Sequence, residues 1–167
     1  MELAHQARPH QVTFVPDSVD QLTSDHGWQL PDDIDQLKPY IQQAKNLGLR
    51  VSLFMDADPN LMPYVRQAGA DRVELYTESY AQAHANGQAQ NELRRYAAAA
   101  QSALACGLEV NAGHDLNLSN LTEFLGAVPG ISEVSIGHAL VADALEHGLS
   151  ATVKAYLRAI QMAGVVN

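Results

Sequence analysis

Along the chain, a run of apolar residues at helical spacing gives way through a glycine to a short β-branched segment, and this pattern recurs four times. No other feature restricts the fold as much. Ile34, Leu37, Ile41, Ala44 and Leu47 stop at Gly48, and Leu61, Tyr64, Val65 and Ala68 stop at Gly69. Glycine placed there is the usual stop, because it alone enters the left-handed backbone region without strain. A long Ala-rich stretch over residues 80–105 is closed by Gly107, and residues 118–128 and 151–163 read as further helices. Between them, residues 11–15, 50–55, 72–76, 108–112 and 133–136 are rich in Val, Ile, Leu and aromatic residues and read as strands.

The alternation predicts an α/β fold of five parallel β/α units. Residues 1–7 read as the tail of a helix leading into the first strand. A complete (β/α)8 TIM barrel takes about 250 residues, and five-eighths of that is about 156, close to the 167 present. The same count fits a small doubly wound sheet, so periodicity alone leaves both open.

Composition narrows the partners. At 47% hydrophobic and 17% charged, the chain has enough apolar residues for one domain, read as a single unit over 1–167. Ten Lys and Arg against nineteen Asp and Glu give a formal charge of −9, the wrong sign for a nucleic-acid partner. Cys106 is the only cysteine, which excludes an intrachain disulfide and a multi-thiolate zinc site, and in its Ala-rich helix it reads as a buried small residue. The first seven residues lack an apolar signal region and no apolar run approaches the ~20 residues of a membrane span, so a cytoplasmic location is expected.

Polar residues fall where parallel strands end: Asp17, Asp56, Glu74, Asn111, His114 and His138. In a barrel that rim carries the chemistry, although strand ends also meet solvent for ordinary reasons. The 16–32 connection is long for a β/α loop and rich in Asp, Ser, Thr, Gly and Pro, which predicts an active-site loop. Asn111-Ala112-Gly113-His114 and Ser135-Ile136-Gly137-His138 place two Gly-His pairs on neighbouring strands. The second precedes a short apolar helix over about 139–146, whose first amides would suit a phosphate. The simpler reading is a turning glycine and a helix-capping histidine. His5, His10, His26, His84 and His147 show no metal-ligand spacing and read as surface or structural. Asp58 before Pro59 reads as a helix N-cap, with Asp56 as its neighbour.

Several of these motifs together resemble the pyridoxine 5′-phosphate synthase family. They are Val51-Ser52-Leu53-Phe54-Met55-Asp56-Ala57-Asp58, Val73-Glu74-Leu75-Tyr76-Thr77 with Tyr80-Ala81, Val110-Asn111-Ala112-Gly113-His114, and Ile136-Gly137-His138-Ala139. Pro9-His10, Val15-Pro16 and Leu22-Thr23 match the family's fourth strand and the following loop, and the similarity covers essentially the whole chain. The resemblance implies strands four to eight of a TIM barrel, here an incomplete one. It implies condensation of 3-amino-2-oxopropyl phosphate with 1-deoxy-D-xylulose 5-phosphate, with no metal or organic cofactor and with assembly as a homo-oligomer. By position, His114 resembles the family's late proton donor and Glu74 the carboxylate that stabilises cationic character. Thr23, Asp115, Gly137 and His138 match substrate-contacting positions, the last two at a phosphate. Asp115 stands where some relatives have glycine, so its carboxylate must point away from an anion.

The family's first three strands bring an Asn, an Asp-His pair, a basic His with an Arg, and a Glu, and none of those motifs occurs here. Two readings follow: part of an active enzyme whose native chain is longer, or a non-catalytic phosphate-binding remnant or partner of a barrel-completing chain. In either case little activity is expected from these 167 residues alone. Another phosphate-handling barrel, an isomerase or aldolase, also fits the Gly-His pair, but Lys38, Lys45 and Lys154 all fall on helices and offer no Schiff-base lysine.

Overall fold

The structure is a computed structural model, and it describes residues 1–18 and 23–164. A short helix α1 (Glu2–Ala7) leads into β1 (Gln11–Phe14), followed by α2 (Ile34–Asn46), β2 (Arg50–Met55), α3 (Met62–Ala68) and β3 (Arg72–Tyr76). Two helices, α4 (Glu78–Ala85) and α5 (Ala89–Ala105), precede β4 (Glu109–Gly113), then α6 (Leu121–Ala127) and β5 (Ile131–Ser135). The described part of the chain closes with α7 (His138–His147) and α8 (Leu149–Met162).

All four strand pairings are parallel and the sheet order is β1-β2-β3-β4-β5, the order of the sequence. A doubly wound sheet reverses direction partway, whereas a barrel wall advances one strand at a time. The unbroken order therefore makes this an arc of a TIM-barrel wall, and it settles the choice that periodicity left open.

Alternation along the strands gives the sheet two unlike faces. Val51, Leu53 and Met55 of β2, Val73 and Leu75 of β3, and Val110 and Ala112 of β4 join Leu37, Ile41, Val65, Tyr96, Ala100 and Phe124 of the helices in one buried cluster. The opposite face would line a barrel interior, and it is charged and polar. There the buried Arg72 guanidinium bonds Glu109 of β4, the Asn111 side chain at 3.1 Å and Glu133 of β5 at 2.8 Å. One cation thus ties three adjacent strands at the floor of the site.

The glycine stops stand as expected: Gly48, Gly69 and Gly107 have φ of +75°, +99° and +75°. Elsewhere the structure corrects the sequence reading. The helix expected over residues 80–105 is two helices, parted where Gly87 takes φ +69°. Asp58 caps no helix, since its Oδ1 accepts the Asn60 amide at 2.9 Å in a local turn and the residue before α3 is Leu61. The last strand begins two residues earlier than its β-branched stretch suggested, at Ile131. No helix among the described residues is long and apolar enough to cross a membrane.

Candidate active site

Residues at the C-terminal ends of β3, β4 and β5 converge on one concavity of about 820 Å³, lined by Glu74, His114, Ser135, Gly137 and His138, with Ile136, Val141, Ala142 and Leu145 as its apolar wall. Glu74, one residue after Val73 on the core face, projects to the polar side and accepts a hydrogen bond from Thr13 Oγ1 of β1 at 3.2 Å. Burial pushes its carboxyl above the ordinary carboxylate range, and nearby Glu133 adds to the shift. The Thr13 bond and His114 oppose it.

His114 follows β4 directly and is the hub. Its Nε2 lies 2.9 Å from Thr23 Oγ1 and its Nδ1 lies 3.1 Å from Asp115 Oδ2. Its ring packs edge-on against Tyr76 at 5.9 Å and against His138 at 5.9 Å, with Phe54 at 6.5 Å. With Nδ1 directed at Asp115, Nε2 is the ring nitrogen turned toward the Thr23 side of the concavity. The Asp115 carboxylate therefore faces the imidazole, and its amide is already bonded to Gly113 O at 3.2 Å and Thr77 Oγ1 at 3.3 Å.

The two glycines of the Gly-His pairs do different work. A Cβ on Gly113 would lie 2.3 Å from the Ser135 carbonyl oxygen, so this glycine is required by the close approach of β5 rather than by a ligand. A Cβ on Gly137 would meet nothing within 4 Å. Gly137 is the N-cap of α7 and has no side chain to offer, so the first amides of that ten-residue helix are left without a side-chain cap at the mouth of the concavity. His138 is the first residue of α7 and is exposed there.

The loop after β1 reaches this rim from the other side. Trp28 Nε1–H donates to Phe14 O at 2.9 Å and the Trp28 amide to Phe54 O at 3.1 Å, fastening the loop across the ends of β1 and β2. Gly27 fits because a Cβ there would stand 2.4 Å from the Asp56 nitrogen. Thr23 belongs to this loop, while Leu22 lies outside the described residues. Glu74, His114, Asp115, Thr23, Gly137 and His138 are thus all brought to one end of the sheet. The sequence reading missed Thr13, Tyr76, Thr77 and Arg72. Strand parity flags Tyr76 and Arg72, which alternate with Val73 and Leu75. Thr13 and Thr77 act through partners 61 and 36 residues away, which no local pattern reveals.

Parallel β/α units in barrel order, with acid–base groups and an uncapped helix start gathered at the strand ends, define a protein of the TIM-barrel class with a candidate site at the C-terminal rim. The family of the pyridoxal phosphate biosynthesis protein PdxJ matches residues 1–162, and the chain belongs to that family. Among its relatives is a pyridoxine 5′-phosphate synthase of Albidiferax ferrireducens, 64% identical over 90% of this chain and 60% of that protein. Another, of Xanthomonas axonopodis pv. citri, is 54% identical over 94% of this chain and 62% of its own length. The chain thus spans about three-fifths of the length of these relatives. A (putative) lactate oxidase structure from Pediococcus acidilactici shares the fold at a TM-score of 0.50, with 15% identity over 77% of this chain and 36% of that one.

Proposed function

We propose that this chain forms the C-terminal rim of a pyridoxine 5′-phosphate synthase, which condenses 3-amino-2-oxopropyl phosphate with 1-deoxy-D-xylulose 5-phosphate and releases phosphate and water. The observation that carries the reading is the convergence of Glu74, His114 and His138 on a single concavity at one end of the parallel sheet. Imine formation, enolisation, phosphate loss and ring closure each move a proton, so the reaction needs several groups that titrate near neutrality.

In this reading His114 Nε2 delivers the late proton, with Asp115 orienting the ring through Nδ1. A substrate oxygen takes the place of the Thr23 hydroxyl beside Nε2. Glu74, partly buried, compensates positive charge developing on the substrate nitrogen, and the low local polarity that disfavours its lone charge strengthens that attraction when the cation forms. Gly137, His138 and the first turn of α7 receive a phosphate group. Residues 23–32 of the loop after β1 border the site, with Thr23 beside His114. No step calls for a metal or an organic cofactor.

The chain covers only part of its relatives' length, and this supports a second reading in which it binds phosphate compounds without turning them over. Calorimetric titration with 1-deoxy-D-xylulose 5-phosphate and an assay of pyridoxine 5′-phosphate formation separate the two. The synthase reading expects a full-length barrel bearing His114→Asn to bind the sugar phosphate within about threefold of the parent while product formation falls by at least ~100-fold. Full turnover in that variant removes His114 from the proton-donor role. Binding by the 167-residue chain without turnover even when the remaining strands are supplied favours the second reading.

A further inference from the structure

His114 holds a backbone conformation that few residues with a side chain adopt, φ +79°. The Asp115 amide bonds back to Gly113 O at 3.2 Å, closing a tight three-residue turn with His114 at its apex. Such a turn is strained for histidine, and it persists only where surrounding bonds over-determine it.

Thr77 supplies two of those bonds. It is fully buried at the end of β3, and its hydroxyl donates to Gly113 O while accepting the Asp115 amide at 3.3 Å. These are the residues on either side of His114, and Thr77 makes no hydrogen bond to the imidazole among the described residues. The position is also the N-cap of α4, where a threonine hydroxyl ordinarily turns to an amide of the helix's first turn. Here it makes no such bond. The hydroxyl is diverted from its own helix to the turn of the next β/α unit, spanning 36 residues of sequence to do so.

We propose that Thr77 is a positioning residue for His114, clamping the 113–115 turn so that the imidazole is held between Tyr76, His138 and Thr23. Its importance to turnover rests on the reading of His114 as proton donor, but the clamp itself is a matter of geometry. The hydroxyl has one proton to give and lone pairs to receive, so valine, of nearly the same shape, can make neither bond, and serine can make both.

Hydrogen exchange and NMR on the 167-residue chain test this without recourse to turnover. Thr77→Val is expected to speed exchange of the Asp115 amide by roughly fivefold or more. The same variant loses the nuclear Overhauser contacts between the His114 and Tyr76 rings, while the amides of β2 and α5 keep their protection. Thr77→Ser restores both signals. Unchanged Asp115 exchange and ring contacts in Thr77→Val overturn the proposal, as does a uniform loss of protection across the sheet or a failure of serine to rescue. If Thr77→Val does not fold, the parent chain decides: a separate Thr77 hydroxyl resonance with a contact to the Asp115 amide supports the clamp, and a hydroxyl averaged into water overturns it. Failure of the synthase reading would appear in product formation instead, so the two are distinguishable.

Discussion

Ionising Glu74 is harder in the folded protein than in the open chain, because burial and Glu133 outweigh the Thr13 hydrogen bond. Below about pH 4.5 both states carry the proton and the difference contributes nothing. As pH rises through 4.5 toward the higher folded value, the unfolded chain loses its proton first, so stability falls across that window and then levels off. Glu74→Gln removes the penalty. Urea midpoints of the variant should therefore gain on the parent as pH rises above about 4.5, and a pH-independent difference would contradict the burial argument. At Gly113 the expectation is steric: Gly113→Ala forces a Cβ against the Ser135 carbonyl, and overpacking of this kind lowers unfolding free energy by about 1–3 kcal/mol in urea titrations. The sequence marks both residues as part of the site but does not show why position 113 is glycine. A Gly-His pair looks like a backbone opened for a ligand, and only the proximity of a strand more than twenty residues later shows otherwise.

Helices and strands are legible where one periodicity dominates, as over Ile34–Asn46 and Arg50–Met55, which fall where the apolar spacing places them. The 80–105 segment fails that test because alanine suits a helix on every face. Its pattern could not show that Gly87 turns the chain between α4 and α5, with Tyr80 and Tyr96 packing face to edge at 6.3 Å. The loop after β1 was legible in its length but not in its fastening, since the acceptors of Trp28 are main-chain oxygens on two strands. Trp28→Phe keeps an aromatic ring, though a smaller one, and leaves Phe14 O without its indole donor. The expected result is a loss of about 1 kcal/mol in stability and faster hydrogen exchange confined to residues 23–33. Protection in that segment equal to the parent would show that packing alone holds the loop.

Among the described residues, β1 and β5 each have a single strand neighbour, and the sequence anticipates such edges from the count of five units. What it does not anticipate is where the apolar surface lies. The face of the sheet that would line a barrel carries Arg72, Glu74, Glu109 and Glu133, whereas Val141, Leu145, Leu149 and Leu157 of α7 and α8 are 57%, 85%, 64% and 53% exposed. Association is therefore expected to run through the α7–α8 pair. In sedimentation velocity, the parent should show a concentration-dependent rise in size that Leu145→Glu with Leu149→Glu suppresses. Such exposed positions leave stability within about 0.5 kcal/mol of the parent. A parent that stays monomeric across the range would refute this. Periodicity alone did not choose between barrel wall and open sheet, since that depends on strand order, a property of long-range pairing; the motif resemblance implied the barrel, and the strand order bears it out.

The lattice around Arg72 sets one guanidinium against the two carboxylates of Glu109 and Glu133, and Glu74 stands one pleat above it. The guanidinium offsets only one of those two carboxylates, so the lattice offers an anion no free cation, whereas the first amides of α7 stand uncapped at the other end of the concavity. On the proposed reading, a phosphorylated guest would therefore seat its anion at the α7 end and leave its uncharged portion toward the paired charges below.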